Sequence, residues 1–387
     1  MRVVFDATAL GSGLGGDETY LTGALEGLAL AAGPDDAFPL LLREGVEVPA
    51  TIAGDERFAV RRIARRRGLV HYVAGLPLAI AGERGRADLV HTITHAPIPP
   101  VLPSALTIGD LSFVHRPGDY PRTTRHRLAM LVPRQARAAR VVLTPSEFSR
   151  QDLLATYGLD PDRVFVVPNR VVPPVAPAPR EVDAARAWCT GKGLDSPFVL
   201  YLGNVHPRKN LDRVVAAFDA ARRDGALAGC QLVIAGGSWF GAGVAANKTA
   251  PDWLVQLGRV DDATRRWLLG EARALAYVSL FEGFGVPPIE AMAAGTPVLA
   301  SDVTAVPEVC GDAAHLVDPT DIDAIAEGLA AVSVDSPERT ALIERGSARA
   351  ARFTSAATGR HLWSALQAAT ADRPNRADPR AMASNIR

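Results

Sequence analysis

The chain has 387 residues, a hydrophobic fraction of 48%, and 42 basic against 42 acidic side chains, so it is long enough for two cored domains and carries no net charge. Without a global field there is no drive toward nucleic acid, and no uncharged apolar run is long enough to span a bilayer. Three widely spaced cysteines (Cys189, Cys230, Cys310) show no metal-like pairing and fit small core residues in a reducing cytoplasm.

The opening, MRVVFDATAL, reads as a short strand interrupted by Asp6 rather than a signal peptide, so a cytoplasmic location is expected. After the strand at Val3 to Phe5 come Gly11-Ser12-Gly13-Leu14-Gly15-Gly16 and a helix expected from Glu18 to Ala32, with Leu21, Leu25 and Leu28 on one face. Gly11, Gly13 and Gly16 match the G-x-G-x-x-G dinucleotide fingerprint. Asp17 and Glu18 at the helix start would repel a pyrophosphate there. The loop reads instead as a glycine-rich cleft wall, with Gly15 and Gly16 near the acceptor side.

The cluster RRIARRR at 61–67 and the arginines from Arg116 to Arg140 form a basic face. A solvated face is the default reading. The alternative is a footing on an anionic membrane surface, where each basic residue near the lipid adds about 1 kcal/mol. Strands at Asp88 to His91 and at Ala105 to Phe113 end where open α/β sheets place ligands, which makes His91, Asp110 and His115 cleft candidates. VVLTPSEFSR is a strand and a helix capped by Ser146, and VFVVPN at 164–169 is a further buried strand.

Prolines 168, 173, 174, 177 and 179 mark a stiff linker over 171–185 between an N-terminal domain, 1–170, and a C-terminal one, 186–353. The second domain opens with a strand at Phe198 to Leu202 and continues GNVHPRKNLDRVVAAF, where Gly203 turns and Arg208-Lys209 follow. Cations beside a strand-to-helix turn suit a diphosphate, arginine as a fork and lysine as a point charge. Lys209 is one of only three lysines among the 42 basic residues, which makes it the more informative cation. QLVIAGG is another strand and turn; VQLGRV precedes a helix expected over 261–274. A helix expected over about 354–370 crosses back to the first domain, and the polar tail 371–387 reads as disordered.

The stretch around which the chain is organised is VSLFEGFGVPPIEAMAAGTPVLA, Val278 to Ala300. It reads as a strand, the turn Glu282-Gly283-Phe284-Gly285, and a helix stopped by Gly295-Thr296-Pro297. Glycines let the backbone approach a ligand, and a helix start attracts anions. Glu282 and Glu290 lie eight residues apart and can accept hydrogen bonds from hydroxyls while the turn faces phosphate. Sugar hydroxyls plus phosphate are what a nucleotide-sugar presents.

In this order, EGFGVPPIEAMAAGTPV resembles the Glu-x7-Glu signature of retaining glycosyltransferases of family 4 type. The resemblance implies the GT-B fold: two Rossmann-like α/β domains with parallel sheets facing across a cleft, donor in the second and acceptor in the first. It implies transfer of a hexose or deoxyhexose from a nucleotide-sugar to a hydroxyl of a glycan or lipid-linked acceptor, with retention, in polysaccharide or glycolipid synthesis. Glu282 would hold sugar hydroxyls and Glu290 the ribose diol. Arg208, Lys209 and the amides of Gly283 to Val286 would stabilise the leaving diphosphate, with Gly203 and Asn204 beside it and the Gly258-Arg259-Val260 turn lining the base pocket.

The segment that in the family reads His-Asp-Leu-Ser-Phe has Gly109 at the first position here, so a nearby histidine (His91, His95 or His115) fills the space or the contact is missing. The PRKN and Asp-Leu-Ser-Phe segments look most like mannosyl- or rhamnosyl-type members, which makes GDP-mannose the first donor expectation. No Asp-x-Asp motif has a strand-end context and the basic pair can neutralise a diphosphate, so neither metal nor cofactor is expected. Two rivals stand: a nicotinamide oxidoreductase built on Gly11, Gly13 and Gly16, though no lysine precedes Lys192, and a glycosyltransferase-shaped binding subunit without turnover.

Overall fold

The computed structural model of the protein describes residues 1–12, 15–64, 68–171, 178–237 and 251–371. Two wholly parallel sheets organise it. The first comprises β1 (Val3–Asp6), β2 (Leu40–Arg43), β3 (Val60–Ile63), β4 (Leu89–Ile93), β5 (Ser104–Thr107), β6 (Val141–Thr144) and β7 (Val164–Val166), in the order β3-β2-β1-β4-β5-β6-β7. The second comprises β8 (Phe198–Leu202), β9 (Gln231–Ala235), β10 (Leu254–Gly258), β11 (Ala274–Tyr277), β12 (Val298–Ser301) and β13 (His315–Val317), in the order β10-β9-β8-β11-β12-β13.

Helices cover both faces. They are α1 (Gly15–Ala31), α2 (Leu76–Ile80), α3 (Ser112–His115), α4 (Arg122–Ala138) and α5 (Glu147–Tyr157) in the first half. The second half has α6 (Pro179–Thr190), α7 (Leu211–Arg223), α8 (Asp262–Glu271), α9 (Val286–Ala293), α10 (Val306–Cys310), α11 (Ile322–Ser333), α12 (Pro337–Ala350) and α13 (Ser355–Ala371).

Central strands buried on both faces must be continuously apolar, and β8, FVLYL, has every residue buried. Its Leu200 pairs with Val233 of β9 on one side and Leu275 of β11 on the other. On α7, Leu211, Val214, Phe218 and Ala221 fall on one helical face and are buried against that sheet. Removing a side chain the size of Phe218 from water contributes about 1.5–3 kcal/mol.

In each sheet the strand order reverses once, between β1 and β4 and between β8 and β11. Loops leaving the carboxyl ends of strands at such a reversal form a crevice. Here they are the segments after Asp6, Leu202 and Tyr277.

Several element ends need adjustment: the strand expected to Phe113 stops at Thr107, with Ser112 and Phe113 already in α3, and the strand expected over 164–169 stops at Val166. The helix expected from Glu18 starts at Gly15, so Gly15 and Gly16 are its first turn rather than loop, while Gly13 lies outside the described residues. The linker is shorter than 171–185, because α6 starts at Pro179, where proline suits a first helical turn. Residues 172–177 lie outside the described residues. The helix expected to 274 ends at Glu271, and Ala274 already begins β11. The last helix runs to Ala371, and the tail read as disordered lies, beyond that residue, outside the described residues.

The return of α13 to the first domain rests on two glycines. A Cβ on Gly359 would lie 2.1 Å from the Gly27 carbonyl oxygen, and one on Gly27 would lie 2.5 Å from the Gly359 nitrogen. Only residues without side chains allow α1 and α13 to approach this closely. Ser355 Oγ donates to Glu26 at 3.0 Å and Thr358 Oγ1 to the Pro168 carbonyl at 2.8 Å, fastening the same junction. Among the described residues, no helix is long and apolar enough to cross a membrane.

Candidate functional site

A cavity of about 890 Å³ lies between the two sheets and is walled by both halves of the chain. At its centre is Glu282, only 4% exposed. Its Oε2 is 2.8 Å from Arg208 Nη1 and its Oε1 is 2.5 Å from Lys209 Nζ. Lys209 also donates to the Tyr277 hydroxyl at 2.8 Å and stands over that ring, and Arg208 Nη1 donates to the Phe281 carbonyl.

Burial alone would raise the Glu282 carboxyl, but Arg208 and Lys209 override it and hold it at about 2. Burial, helped by Arg208, pulls Lys209 down to about 8 against the pull of Glu282. The trio itself carries one positive charge in excess, faced across the cleft by Asp110, which acts on both cations, and an anionic ligand can pair with that excess.

The local reasons for this geometry are short-range. Residues 207–209 form one turn of 3₁₀ helix, with His206 at its cap accepting from the Arg208 amide and Asn210 held left-handed at φ 61°. That turn lifts both cations off the end of β8 toward the cleft. The Asn210 amide group donates to the carbonyls of Val278 and Pro319, which ties the turn to the strand end before Glu282.

Gly285 caps α9 with φ 96°, a backbone that L side chains rarely adopt. Because Pro287 and Pro288 have no N–H, the donors at this helix start are the amides up to Val286. Gly203 and Asn204 line the cleft as expected, and Gly203 makes close backbone contact with Gly236, where a Cβ would lie 1.8 Å from the Gly203 carbonyl oxygen.

Glu290 faces the cavity with Oε1 held 2.5 Å from Arg265 Nη1, a partner not anticipated from sequence. Arg265 is also 2.7 Å from Asp262. Val260 and Val286 line the cavity, whereas Gly258 stops one residue short of the wall and turns the chain at φ 68°. Phe284 lends its backbone to the cleft turn, but its ring packs in the core, edge-on to Phe353 at 5.5 Å.

On the opposite wall, Asp110 reaches the cleft, but its Oδ1 accepts from the Ser112 amide at 2.9 Å and hydroxyl at 2.5 Å, so it also braces its own turn. Gly15 and Gly16 line the cleft. The Gly11 amide donates to Glu18 at 2.7 Å, so a carboxylate takes the donor that a dinucleotide pyrophosphate would use.

Two expected cleft histidines are elsewhere. His91 is fully buried on β4, bonded to Thr107 at 2.9 Å and packed on Phe5 and Tyr20, and burial holds it near 4, hence neutral. His115 pairs with Asp152 at 2.7 Å and stacks on Phe281, outside the cavity. His95 lines a smaller neighbouring pocket. The histidine in the main cavity is His206, against the Tyr120 ring at 5.2 Å, and burial plus Arg208 hold it near 4. Its position in GNVHPRKN, three residues before Lys209, was a usable signal. Asp17, missed as well, faces the cavity from the first turn of α1, and desolvation between the cleft walls with a contribution from Asp110 raises it to about 6. Water still reaches its side chain. Among the described residues, no group of three His, Cys, Asp or Glu side chains is arranged to hold a metal ion.

Comparison with known proteins follows this division of the chain. The model of Glycosyltransferase Family 4 matches residues 30–173 and that of Glycosyl transferases group 1 matches residues 187–349. O-antigen chain mannosyltransferase B of Escherichia coli is 29% identical over 64% of this chain and 66% of its own length. O-antigen chain mannosyltransferase RfbU of Salmonella typhimurium is 28% identical over 67% of this chain and 69% of its own. The chain thus matches about two thirds of the length of these relatives. Sucrose-phosphate synthase of Thermosynechococcus elongatus superposes with a TM-score of 0.71 at 19% identity, over 96% of this chain and 100% of that one. The likeness to that structure is one of fold, the expected GT-B arrangement of two parallel sheets about a cleft. With both halves matched in sequence order and the architecture shared throughout, the chain belongs to the group 1 glycosyl transferases, family 4 type.

Proposed function

We propose that the protein transfers a hexose or deoxyhexose from a nucleotide-sugar to a hydroxyl of a glycan or lipid-linked acceptor, with retention at the anomeric carbon. The observation that carries this reading is the buried Arg208–Lys209–Glu282 cluster with its surplus positive charge at the cleft, next to the start of α9. A diphosphate leaving group develops negative charge as the bond to the sugar breaks, and preorganised donors in a dry site stabilise it. Arg208, Lys209 and the amides of Gly283 to Val286 take that role, Glu282 orients the sugar hydroxyls, and Glu290 accepts from the ribose diol.

The acceptor oxygen attacks on the face from which the phosphate departs. The new glycosidic bond forms as the sugar–phosphate bond breaks, and the acceptor proton passes to the departing phosphate oxygen. Arg208, Lys209 and the amides at the start of α9 together stabilise the diphosphate, and the reaction is proposed to need no divalent ion and no cofactor.

GDP-mannose is the proposed donor. Two mannosyltransferase relatives support it, and so does the chemistry of the wall at 261–266. There Asp262 and Arg266, 3.6 Å apart, offer a carboxylate for the N1–H and N2–H of guanine and a guanidinium for O6 and N7. The acceptor side is proposed to work against an anionic membrane surface, since Leu69, Val70, Val73 and Leu78 are exposed on the same domain as the basic face.

The test is a thermal-shift screen against GDP, UDP, dTDP and ADP sugars, followed by donor hydrolysis without acceptor. A ligand that binds only the folded state raises the melting temperature. No shift with any nucleotide would overturn the reading, and binding without slow hydrolysis would favour the binding-subunit alternative.

A further inference from the structure

The α5 helix begins in the first domain, but two of its first three amide donors are satisfied from the second. Ser146, its cap, accepts from the Ser149 amide at 3.1 Å. The Glu147 and Phe148 amides donate instead to the two carboxylate oxygens of Glu308, each at 2.8 Å. Glu308 rides on α10 of the second domain. Four unsatisfied N–H groups are the normal condition of a helix start, and a carboxylate there gains both hydrogen bonds and the helix dipole.

The same corner touches the turn bearing Glu282. Ser146 Oγ donates to the Gly283 carbonyl at 2.7 Å, and Ser149 Oγ bridges the carbonyls of Gly283 and Gly109, each at 3.3 Å. A Cβ on Gly283 would lie 2.0 Å from the Gly109 oxygen, so the two domains meet backbone to backbone at this point. Glu308 is coupled to that turn within its own domain. Thr304, two residues before α10, accepts from the Glu282 amide at 3.1 Å, and the Ala305 amide donates to the Glu282 carbonyl at 3.3 Å. Thr304 has φ 60°, an outlier for a β-branched residue that surrounding contacts must hold in place.

We infer that Glu308 is a positioning residue that latches the two domains by capping α5, and so sets the Glu282 turn against the Gly109–Asp110 wall for transfer. It touches neither the donor cations nor the cavity, so its effect is on domain apposition rather than on donor binding. This rests on the transfer reading above, but its structural arm does not.

The test compares wild type, Glu308→Ala and Glu308→Gln for melting temperature, solution X-ray scattering, nucleoside diphosphate affinity by calorimetry, and transfer kinetics. Glu308→Ala is expected to fold, to scatter as a more open particle, to bind GDP within twofold of wild type, and to lose about tenfold in kcat/KM for transfer. Glu308→Gln, which keeps one acceptor oxygen, is expected to fall between. An Ala variant as compact as wild type and within twofold of its kcat/KM overturns the latch. So does a loss of GDP affinity that matches the loss of transfer, since that would place Glu308 in donor binding. If the wild type transfers no sugar, the proposed function fails, while the scattering comparison still decides the latch.

Discussion

Lys209 Nζ lies 2.5 Å from Glu282 Oε1, a buried contact between residues 73 positions apart. The lysine charge is not fully neutralised within the cluster, because Arg208 shares the same carboxylate from its other oxygen. The contact is therefore both a structural tie between β8 and β11 and a preformed seat for an anion.

Replacing Lys209 by Ala is expected to lower kcat/KM for transfer by about 100-fold or more, the usual scale for removing a group that stabilises transition-state charge. Steady-state kinetics with the donor identified by thermal shift checks this. Near wild-type turnover would move the phosphate site elsewhere.

Lys209 titrates near 8, so the free enzyme should lose transfer activity as pH rises through that value. The kcat/KM profile is expected to show an alkaline limb near pH 8 that is absent in Lys209→Arg, whose guanidinium stays charged. A flat profile to pH 9.5 in the wild type would show that the protonated amine is not required.

Glu282 has its carboxyl lowered from 4.5 to about 2 in the fold. A depressed carboxylate contributes stability that is fully present above the unfolded value and is lost as pH falls through the folded one. The window is thus pH 4.5 down to about 2, and the loss is of the order of 3 kcal/mol by linkage. Urea denaturation across that range, compared with Glu282→Gln, checks it: the variant should lack this share of the slope. It should also be less stable at pH 7, because it leaves buried cations short of a partner.

Glu290→Ala is expected to weaken nucleoside diphosphate binding about tenfold, the scale of one lost hydrogen bond to a charged acceptor. Calorimetry with GDP reads this directly. Unchanged affinity would confine Glu290 to its pairing with Arg265.

Incubation with a chelator is expected to leave transfer activity within twofold, measured before and after adding magnesium. A fall that magnesium restores would overturn metal independence.

The extent of legibility follows from range along the chain. The turn from Glu282 to Gly285, the start of α9 and the pair Arg208-Lys209 could be read because a strand end, glycines and prolines specify their backbone within a dozen residues. The parallel strands were likewise visible as apolar runs, since a strand buried on both faces has no room for alternation. Helix ends were less visible. Gly15 and Gly16 looked like loop because glycine is permissive, yet they open α1.

Partners were not legible. His91 and His206 have the same chemistry, but one sits buried on β4 against Phe5 while the other caps the turn that carries the cations, and only chain packing separates them. Arg265 reaches Glu290 from the preceding helix, α8, and Glu308 reaches α5 from 160 and 161 residues away. Sequence by itself determined the elements, the family and the anion-seeking turn, because each depends on local conformation and on residue types at short spacing. Tertiary structure alone decided which charges neutralise one another, which histidine meets the cavity and where the two domains touch. Those outcomes depend on the distance and burial of groups far apart in the chain, and no local pattern encodes either.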